Sequence, residues 1–449
     1  MMNTREIILD ILLELVKTDE YSNLLIAGVL EKYDYLDAKE KAFIKRVTEG
    51  TIERRIQIDY VLDHISKVPV KKMKPLIREL LRMSVYQLLF MEGTPDAAVC
   101  NEAVKLAKKR KFQSLQGYVN GVLRNVSRQK ETIVYPDREK DKLGFLSVFY
   151  SMPQWLVERF MKAYGEEKTE KILQAFLERG AVTIRLEESL SEEKRKELLT
   201  KWEENGVAMK KHPYLDYAVQ VEKSEGIRNL SGYEEGFFTV QDVSSMLVVE
   251  AADVKEGQTV IDVCAAPGGK TLHAACKVGA NGKVLAFDLT ENKVAKIEEN
   301  RQRMGKENVT VRVGDARICN EELKQLADVA IADVPCSGLG VIGKKQDIKY
   351  HVTPQSLEEI VTLQKEILSN VTSYVKPNGI LMYSTCTINS EENEQMVEWI
   401  CENFPFKRES MESFLPEMLK EEGRDGMIQL LPGVHKTDGF FFARLRRTE

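Results

Sequence analysis

The stretch that decides the fold is Thr259-Val-Ile-Asp-Val-Cys-Ala-Ala-Pro-Gly-Gly-Lys-Thr271. A short apolar run leads into a Gly-Gly turn and then into a helical segment, which is the pattern of a strand followed by a helix. In a doubly wound sheet, ligands bind at the carboxyl ends of the strands, close to such turns. Gly268 and Gly269 carry no Cβ atom and would let the backbone approach a ligand closely. The stretch therefore predicts an α/β sheet with a ligand site after its first strand.

The same stretch has two other interpretations. A tight structural turn without a ligand is the plainer one, and the stretch alone does not exclude it. A phosphate-binding loop of a nucleoside triphosphatase is the second, because Gly269-Lys270-Thr271 matches the end of that motif. That motif requires a glycine five residues before Gly269, and Cys264 stands there. A nucleoside triphosphate is therefore disfavoured.

Outward from this stretch, short apolar runs alternate with helical segments from about residue 236 to the end of the chain. Alternation of this kind is typical of a parallel sheet with crossover helices. Two later runs flank Thr437-Asp438-Gly439, which is a hairpin turn signal. The predicted strands are Thr259–Val263, Val284–Asp288, Thr310–Val313, Val329–Asp333, Ile380–Ser384, Gln429–Leu431 and Phe440–Leu445.

Acids and cysteines stand where these strands end. Asp288 and Asp333 each end a strand, and Asp315 follows another. A carboxylate in such a place can accept hydrogen bonds from the hydroxyls of a ribose. Cys336 comes three residues after Asp333, and Cys386 follows the strand Ile380–Ser384. A lone cysteine is more often a small buried hydrophobe, but two at the ends of neighbouring strands indicate chemistry.

The first third of the chain has a different pattern. Residues 1–130 show apolar residues at helical spacing and almost no strand signal, which predicts a small helical bundle. Residues 131–150 are irregular and charged and are interpreted as a linker. A helix from about Pro153 to Leu177 and a strand at Val182–Leu186 follow. The predicted domains are residues 1–132, 145–235 and 236–449.

Composition narrows the class of protein. The 449 residues carry a formal net charge of −5 and 43% hydrophobic residues, as expected of a globular chain with ample core material. No apolar run is long enough to span a bilayer, and the charged start lacks a secretory core, so a cytoplasmic protein without a membrane partner is expected. Seven cysteines without a CxxC pair argue against a disulfide framework or a zinc ribbon. No histidine has metal-ligand spacing, and no metal is expected.

A basic stripe in the first domain is the main candidate for a nucleic-acid surface. Eight basic and no acidic residues lie between Lys105 and Lys130, among them Lys108, Lys109, Arg110 and Lys111. Such a stripe can contact a phosphate backbone. A solvated helix face is an equally good interpretation of charge alone.

Together these motifs resemble the RNA (cytosine-5)-methyltransferases, and within them the RsmB/Sun family that acts on 16S ribosomal RNA. Residues 86–128 are similar to the NusB signature, so the likeness covers nearly the whole chain. The matching pieces of the remainder are Gln241-Asp242 with Ser244-Ser245, Cys264–Thr271, Asp288, Gly314-Asp315-Ala316, Asp333–Gly338, Asp347-Ile-Lys-Tyr350, Ser384-Thr-Cys386 and Asp438–Arg444.

The resemblance implies a fold and a chemistry. The expected fold is a Rossmann-like α/β methyltransferase domain preceded by an all-α NusB-like domain and a small α+β domain. The implied cofactor is S-adenosylmethionine, held by Cys264, Ala265, Ala266, Pro267, Gly268, Gly269, Lys270, Asp288, Asp315 and Asp333. The implied catalytic residues are Cys386, which adds to C6 of the cytosine, Cys336, which assists loss of the C5 proton and release, and Asp333, which holds the base.

The resemblance also implies a substrate, with two departures. The first is Arg185-Leu186-Glu187, which stands where the family usually has Arg-Val-Asn, so that only the arginine carries over. The expected partner is 16S ribosomal RNA, naked or in a partly assembled small subunit, bound by a monomer. Residues 343–346 are Gly-Lys-Lys-Gln where the family usually has arginines and a proline. Lysine neutralises phosphate but lacks the bidentate fork of arginine. Lys344 and Lys349 remain candidates for RNA contacts.

Four alternatives stay open at this point. A non-catalytic RNA-binding or antitermination factor would fit the first domain alone. A nicotinamide-dependent oxidoreductase would use the same sheet, although no clean GxGxxG follows the first strand. A DNA cytosine methyltransferase would use Cys336 as nucleophile and would not need Cys386. A 5-methylcytosine methyltransferase acting on another RNA would share every motif.

Overall fold

The computed structural model describes residues 3–18, 20–178, 180–223 and 226–449. Its helices are α1 (Thr4–Lys17), α2 (Ser22–Lys32), α3 (Ala38–Glu53), α4 (Arg55–Ile65), α5 (Pro75–Phe90), α6 (Asp96–Lys109), α7 (Gln116–Gln129), α8 (Lys142–Phe149), α9 (Gln154–Ala175), α10 (Glu192–Glu204), α11 (Val243–Ala252), α12 (Gly269–Val278), α13 (Glu291–Arg303), α14 (Ile348–His351), α15 (Pro354–Tyr374) and α16 (Glu394–Asn403).

Its strands are β1 (Val182–Leu186), β2 (Ala208–Lys211), β3 (Ala218–Lys223), β4 (Phe238–Val240), β5 (Thr259–Asp262), β6 (Lys283–Asp288), β7 (Val309–Val313), β8 (Ala327–Asp333), β9 (Val375–Thr385), β10 (Phe406–Arg408), β11 (Met427–Leu430) and β12 (Phe440–Arg447). The chain divides into two compact units. One holds residues 1–177 with 342–352, and the other holds residues 178–341 with 353–449.

The first unit is built from helices, as the sequence predicts. Local sequence sets several of their ends. Asp37 accepts from the backbone N–H of Glu40 while the Glu40 carboxylate accepts from the backbone N–H of Asp37, a capping box that starts α3. Helix α6 begins at Asp96, directly after the Thr94-Pro95 break. The apolar faces of α1, α3, α4, α5, α6 and α7 share one core.

The second unit contains the large sheet. Its strands lie in the order β10-β12-β9-β8-β5-β6-β7, with β11 paired to β12. The five strands from β9 to β7 run parallel, and β12 joins β9 antiparallel. Alternate residues of the strands point to two cores, one shared with α11, α12 and α13 and the other with α15 and α16. The result is the predicted Rossmann-like α/β arrangement, with an antiparallel extension at one edge.

A smaller antiparallel sheet precedes it in the same unit, with the order β2-β3-β1-β4. Helix α10 covers it through Trp202, whose ring lies 5.0 Å from that of Phe238. Together these elements give the small α+β region that the sequence predicts. The exact domain boundaries at residues 132, 145 and 235 stay a prediction, since the two compact units divide the chain differently.

Two local predictions were wrong. Residues 131–150 are not an irregular linker throughout, because Asp141 caps the N-terminus of α8 by accepting from the Gly144 N–H. The connection between β11 and β12 is longer than a tight hairpin turn at Thr437-Asp438-Gly439, since it runs from Leu431 to Gly439. No helix in the described part of the chain has both the length and the apolar character needed to cross a bilayer.

Candidate active site

The parallel strands bring their carboxyl ends to one edge of the large sheet. Asp262, Asp288 and Asp333 end β5, β6 and β8. In the β8–β9 register, Asp333 lies opposite Ser384, two residues before Cys386. The acids and the cysteines that the sequence places after separate strands therefore meet at one edge, as expected for an open α/β sheet.

A cavity of about 220 Å³ opens at this edge. Seven of the ten predicted cofactor residues line it, whereas Gly268, Asp288 and Asp315 do not. The lining residues are Val240, Gln241, Asp242, Ser245, Asp262, Cys264, Ala265, Ala266, Pro267, Gly269, Lys270 and Asp333. Gly268 instead adopts φ +105° at the start of α12, a conformation that favours glycine, and so makes the turn that shapes the wall.

Lys270 and Asp333 form an ion pair across the cavity. The Lys270 ammonium lies 2.6 Å from Oδ2 of Asp333 and 3.2 Å from Oγ of Ser245. The other carboxylate oxygen of Asp333 accepts from the hydroxyl of Ser384 at 2.8 Å. Both oxygens of Asp333 are thus held in place, so that this acid has a fixed orientation at the end of β8.

Two lining side chains have a buried polar atom that finds no partner among the described residues. These atoms are Oδ1 of Asp262 and Nε2 of Gln241. Thr271 donates to Oδ2 of Asp262, and burial raises the pKa of Asp262 to about 7. The Arg185 guanidinium donates to Oε1 of Gln241 at 2.8 Å and so fixes the orientation of that amide. Buried polar atoms without partners are uncommon, and here an acceptor and a donor line the same cavity.

Asp288 and Asp315 lie outside the cavity wall. Asp288 is buried and accepts from the Ala266 N–H at 2.9 Å, so it fixes the loop that forms part of that wall. Lys293 pairs with its other oxygen at 3.0 Å. Asp315 pairs with Arg317 at 2.6 Å, and hydrogen bonding from Arg317 lowers the pKa of Asp315. A direct contact of either acid with a cofactor stays a prediction.

The two predicted catalytic cysteines lie together. Sγ of Cys336 is 3.2 Å from Sγ of Cys386. The two thiols follow the neighbouring parallel strands β8 and β9. Cys336 is three residues after Asp333, which lines the cavity. The hydrogen bond with Cys386, followed by burial, raises the pKa of Cys336 well above its usual range. The two sulfurs lie within hydrogen-bond distance, and either thiol can be the donor.

Comparison with known proteins identifies the family. The model of the 16S rRNA methyltransferase RsmB/F family matches residues 249–446. The NusB family matches residues 2–128, and the RsmF/B-like ferredoxin-like domain matches residues 152–228. The probable ribosomal RNA small subunit methyltransferase B of Bacillus subtilis (strain 168) is 35% identical, with 99% of each chain covered. The chain belongs to the RsmB/F methyltransferase family.

Two further comparisons agree with this assignment. The probable ribosomal RNA small subunit methyltransferase B of Synechocystis sp. is 30% identical over the whole of both chains. The crystal structure of PH0851 superposes with a TM-score of 0.80 at 26% identity and covers 99% of each chain. The alternatives of a non-catalytic RNA-binding factor and of a nicotinamide-dependent oxidoreductase are not supported, since the family is one of methyltransferases.

The basic stripe of the first unit is partly neutralised. Lys109 pairs with Glu6 at 2.5 Å, and Arg110 pairs with Asp10 at 2.6 Å and with Glu6 at 3.3 Å. Lys108 and Lys111 are exposed and pair with no acid among the described residues. Of the four predicted RNA contacts in this stripe, these two lysines present the least compensated charge.

The structure corrects the prediction for Lys349. Its side chain is buried in the first unit, and its ammonium donates to the backbone carbonyls of Glu53 and Ser151, at 2.7 Å each. An ammonium in this position cannot reach a phosphate in solvent. Lys344 is exposed in the same segment, and its contact with RNA stays a prediction.

This segment of residues 342–352 caps helices of the first unit. Lys349 binds the carbonyl of Glu53, the last residue of α3, where the helix dipole favours a positive charge. Tyr350 donates to the Ile52 carbonyl at 3.0 Å. Asp347 accepts from the Ser22 N–H at 2.5 Å, at the N-terminus of α2, where a negative charge is favoured. These residues therefore stabilise helix ends.

One cluster in the second unit has the composition of a metal site. Among the described residues, Glu188, Glu250 and His273 are the group with closely spaced ligand atoms. The Lys277 ammonium lies 2.8 Å from a carboxylate oxygen of each glutamate and supplies the compensating positive charge. Burial raises the pKa of each glutamate, but hydrogen bonds with His273 and Lys277 outweigh it. The pKa of both glutamates is therefore lowered to about 2. The cluster is an ion-pair network that includes its own cation.

Sequence reasoning missed some lining residues. Asp262 ends β5 as Asp333 ends β8, but the predicted strand ran one residue further, to Val263, so the strand-end rule passed over it. Gln241 and Ser245 belong to a segment that matched the family without receiving a role. Arg185 matches the arginine of the family's usual Arg-Val-Asn segment but received no role, because its contact with Gln241 spans 56 residues of sequence.

Proposed function

We propose that this protein transfers a methyl group from S-adenosylmethionine to C5 of a cytosine in small-subunit (16S) ribosomal RNA, through a covalent adduct between Cys386 and C6. The observation that carries the proposal is the pair of thiols 3.2 Å apart beside the cavity at the carboxyl edge of the sheet. The family and its ribosomal RNA relatives support the class of substrate.

The cavity fits the methionine part of the cofactor. Its Gln241 amide nitrogen can donate to a carboxylate, and Asp262 Oδ1 can accept from an ammonium group. The glycine turn at Gly268–Gly269 permits close approach of the backbone. Bound there, S-adenosylmethionine supplies an electrophilic methyl group. Asp288 supports the site indirectly by holding the Ala266 N–H.

The cysteine pair supplies the activation that cytosine requires. C5 of cytosine is a poor nucleophile until a thiolate adds to C6 and turns C5 into an enamine carbon. Cys386 would be the thiol that adds to C6, with Cys336 within hydrogen-bond distance of it. Asp333, oriented by Lys270 and Ser384, lines the cavity and would hold the N3/N4 edge of the base.

Release of the methylated base follows the formation of the bond between Cys386 and C6. Once its sulfur is bonded to C6, Cys386 no longer shares a thiol proton with Cys336. Cys336 can then lose its proton to solvent and take the proton from C5. The C6–S bond breaks with its electron pair returning to Cys386, which leaves the 5-methylcytosine.

The target base has to leave its stack to reach both thiols, so an unpaired or flipped cytosine is expected. Exposed lysines such as Lys108, Lys111 and Lys344 would neutralise nearby phosphates.

Bisulfite sequencing of ribosomal RNA from cells with and without the gene tests the substrate. We expect one cytosine of the 16S RNA to lose its methyl mark in the deletion strain. A mark that disappears from another RNA would overturn the choice of substrate while keeping the chemistry.

Two variants test the chemistry in purified protein. Cys386→Ser should abolish transfer and leave no covalent complex, because no enamine forms without the nucleophile. Cys336→Ala should trap a methylated protein–RNA adduct that survives denaturing gels. Cys401→Ala is a matched control outside the pair. An adduct in Cys386→Ser and none in Cys336→Ala would show the opposite order, in which Cys336 is the nucleophile.

A further inference from the structure

A buried acid, Glu392, and its amide partner Gln364 hold the backbone on the two sides of Cys336. Glu392 is 0% exposed, and its carboxylate accepts four hydrogen bonds. Ser337 donates its N–H at 2.8 Å and its hydroxyl at 2.5 Å. Asn389 and Gln364 donate their side-chain amides at 3.0 and 3.2 Å. The same Gln364 amide also donates to the Pro335 carbonyl at 2.9 Å, so the residues before and after Cys336 are both fixed.

The next residue in the sequence contacts the residues on both sides of Cys386. Asn393 is also 0% exposed. Its Oδ1 accepts from the hydroxyl of Thr385 at 2.6 Å, and its Nδ2 donates to the carbonyl of Thr387 at 3.1 Å. Asn393 occupies the N-cap position of α16, where an asparagine usually accepts from the helix backbone, but its side chain makes no such bond.

The two loops are also joined directly. The hydroxyl oxygens of Ser337 and Thr387, the residues after each cysteine, are 2.7 Å apart. Burial raises the pKa of Glu392, which shows that the carboxylate is costly to keep in this place. Buried ionic groups are weak contributors to stability, since apolar residues of similar size often serve as well.

We propose that Glu392 and Asn393 form a bracket that sets the spacing and orientation of the two cysteines, with Glu392 positioning Cys336 and Asn393 positioning Cys386. This inference rests on the proposed function for the roles of the two thiols. Both residues act through the cysteines and are positioning residues. Each should therefore affect the step that its own cysteine carries out.

The variants Glu392→Gln and Asn393→Ala separate the two sides of the bracket. Glu392→Gln replaces one acceptor oxygen by an amide donor, so that two of the four donors lose their partner. We expect release of the adduct to slow about 10- to 100-fold, the scale of a small misplacement of a reacting group, while its formation changes little. The RNA adduct should then accumulate during turnover.

Asn393→Ala should have the opposite signature. We expect formation of the adduct to slow about 10- to 100-fold without accumulation, because the nucleophile is misplaced. Rapid-quench kinetics with labelled RNA measure both steps. A merely structural role would lower both rates by the same factor in both variants, and that result would overturn the proposal.

A measurement without RNA tests the bracket independently of the proposed function. Diamide removes two hydrogens from a pair of close thiols and leaves a disulfide, which peptide mass spectrometry quantifies. We expect the Cys336–Cys386 disulfide to form at least about tenfold more slowly in Glu392→Gln and Asn393→Ala than in the unmodified protein. Glu398→Gln, an exposed position on α16, is the matched control and should react like the unmodified protein.

The two readouts distinguish the possible failures. An unchanged rate of disulfide formation in both variants would overturn the bracket. If the unmodified protein forms no RNA adduct, the proposed function fails, and the oxidation rates alone decide on the bracket. Ser337→Ala, which removes one donor and the link to Thr387, replaces Glu392→Gln if that variant does not fold.

Discussion

Replacing Lys349 by methionine tests whether this residue stabilises the helical unit or contacts RNA. The substitution keeps most of the side-chain volume and removes the ammonium. The carbonyls of Glu53 and Ser151 would lose a donor that now lies 2.7 Å from each. An unpaired buried acceptor costs about 1–3 kcal/mol. Part of this loss is offset, because burying an ammonium is itself unfavourable.

The expected net loss is about 2–4 kcal/mol in the free energy of opening α3 and its neighbours. Since about 1.4 kcal/mol is a factor of ten, amide hydrogen exchange in α3 should become roughly 30- to 1,000-fold faster. Mass spectrometry of peptides from the full chain measures this exchange. Lys345→Met, an exposed lysine in the same segment, is the matched control and should leave the rates unchanged.

The charge of Lys349 also predicts a pH dependence. Burial lowers its pKa from 10.5 to about 7. Between these values the unfolded chain binds more protons than the folded chain, so stability should rise with pH over this range. The rise should be absent in Lys349→Met. Unchanged exchange in this variant together with weaker RNA binding would refute the structural role and restore the phosphate contact.

Three further predictions concern the other sites. Asp288→Ala should weaken S-adenosylmethionine binding by about 1.5–3 kcal/mol, the scale of hydrogen bonds to a charged group, and unchanged calorimetric affinity would exclude Asp288 from supporting the site. Asp262→Asn should also weaken S-adenosylmethionine binding. In the unmodified protein the affinity should fall below pH 7, because the pKa of Asp262 is raised to about 7 and protonation takes away an acceptor. The variant should not show this fall, and a fall that persists would be due to another group. Replacing Lys108 and Lys111 by alanine should lower the salt dependence of RNA binding by a slope of up to about 0.7–0.9 for each lost contact, and an unchanged slope would mean that the stripe is a solvated face.

The large sheet and its site were predictable because their signals are local. Most of the parallel strands show a short apolar run, and the carboxyl ends of such strands share one edge. That rule alone places Asp288, Asp333, Cys336 and Cys386 on one side of the sheet. Asp262 escaped the rule because the predicted first strand runs to Val263, whereas β5 ends at Asp262.

The interaction partners of the basic residues could not be predicted from local sequence. Lys109 and Arg110 look like a phosphate surface in sequence, but their acidic partners lie in α1, about 100 residues away. Lys349 lies about 300 residues from Glu53, whose carbonyl it binds. A count of nearby charges contains no information on such partners.

The roles of Glu392 and Asn393 in the bracket could not be predicted from the sequence either. Residues 390–394 read Ser-Glu-Glu-Asn-Glu, which resembles an exposed, charged entry into a helix. In the structure Glu392 and Asn393 are fully buried, and their partners flank two cysteines that follow different strands. A helix start with this composition would normally use its polar side chains as caps. Because Asn393 makes no cap and Glu392 accepts from the Cys336 loop instead, the polar composition of this segment is explained by the positions of the two thiols rather than by the helix that follows.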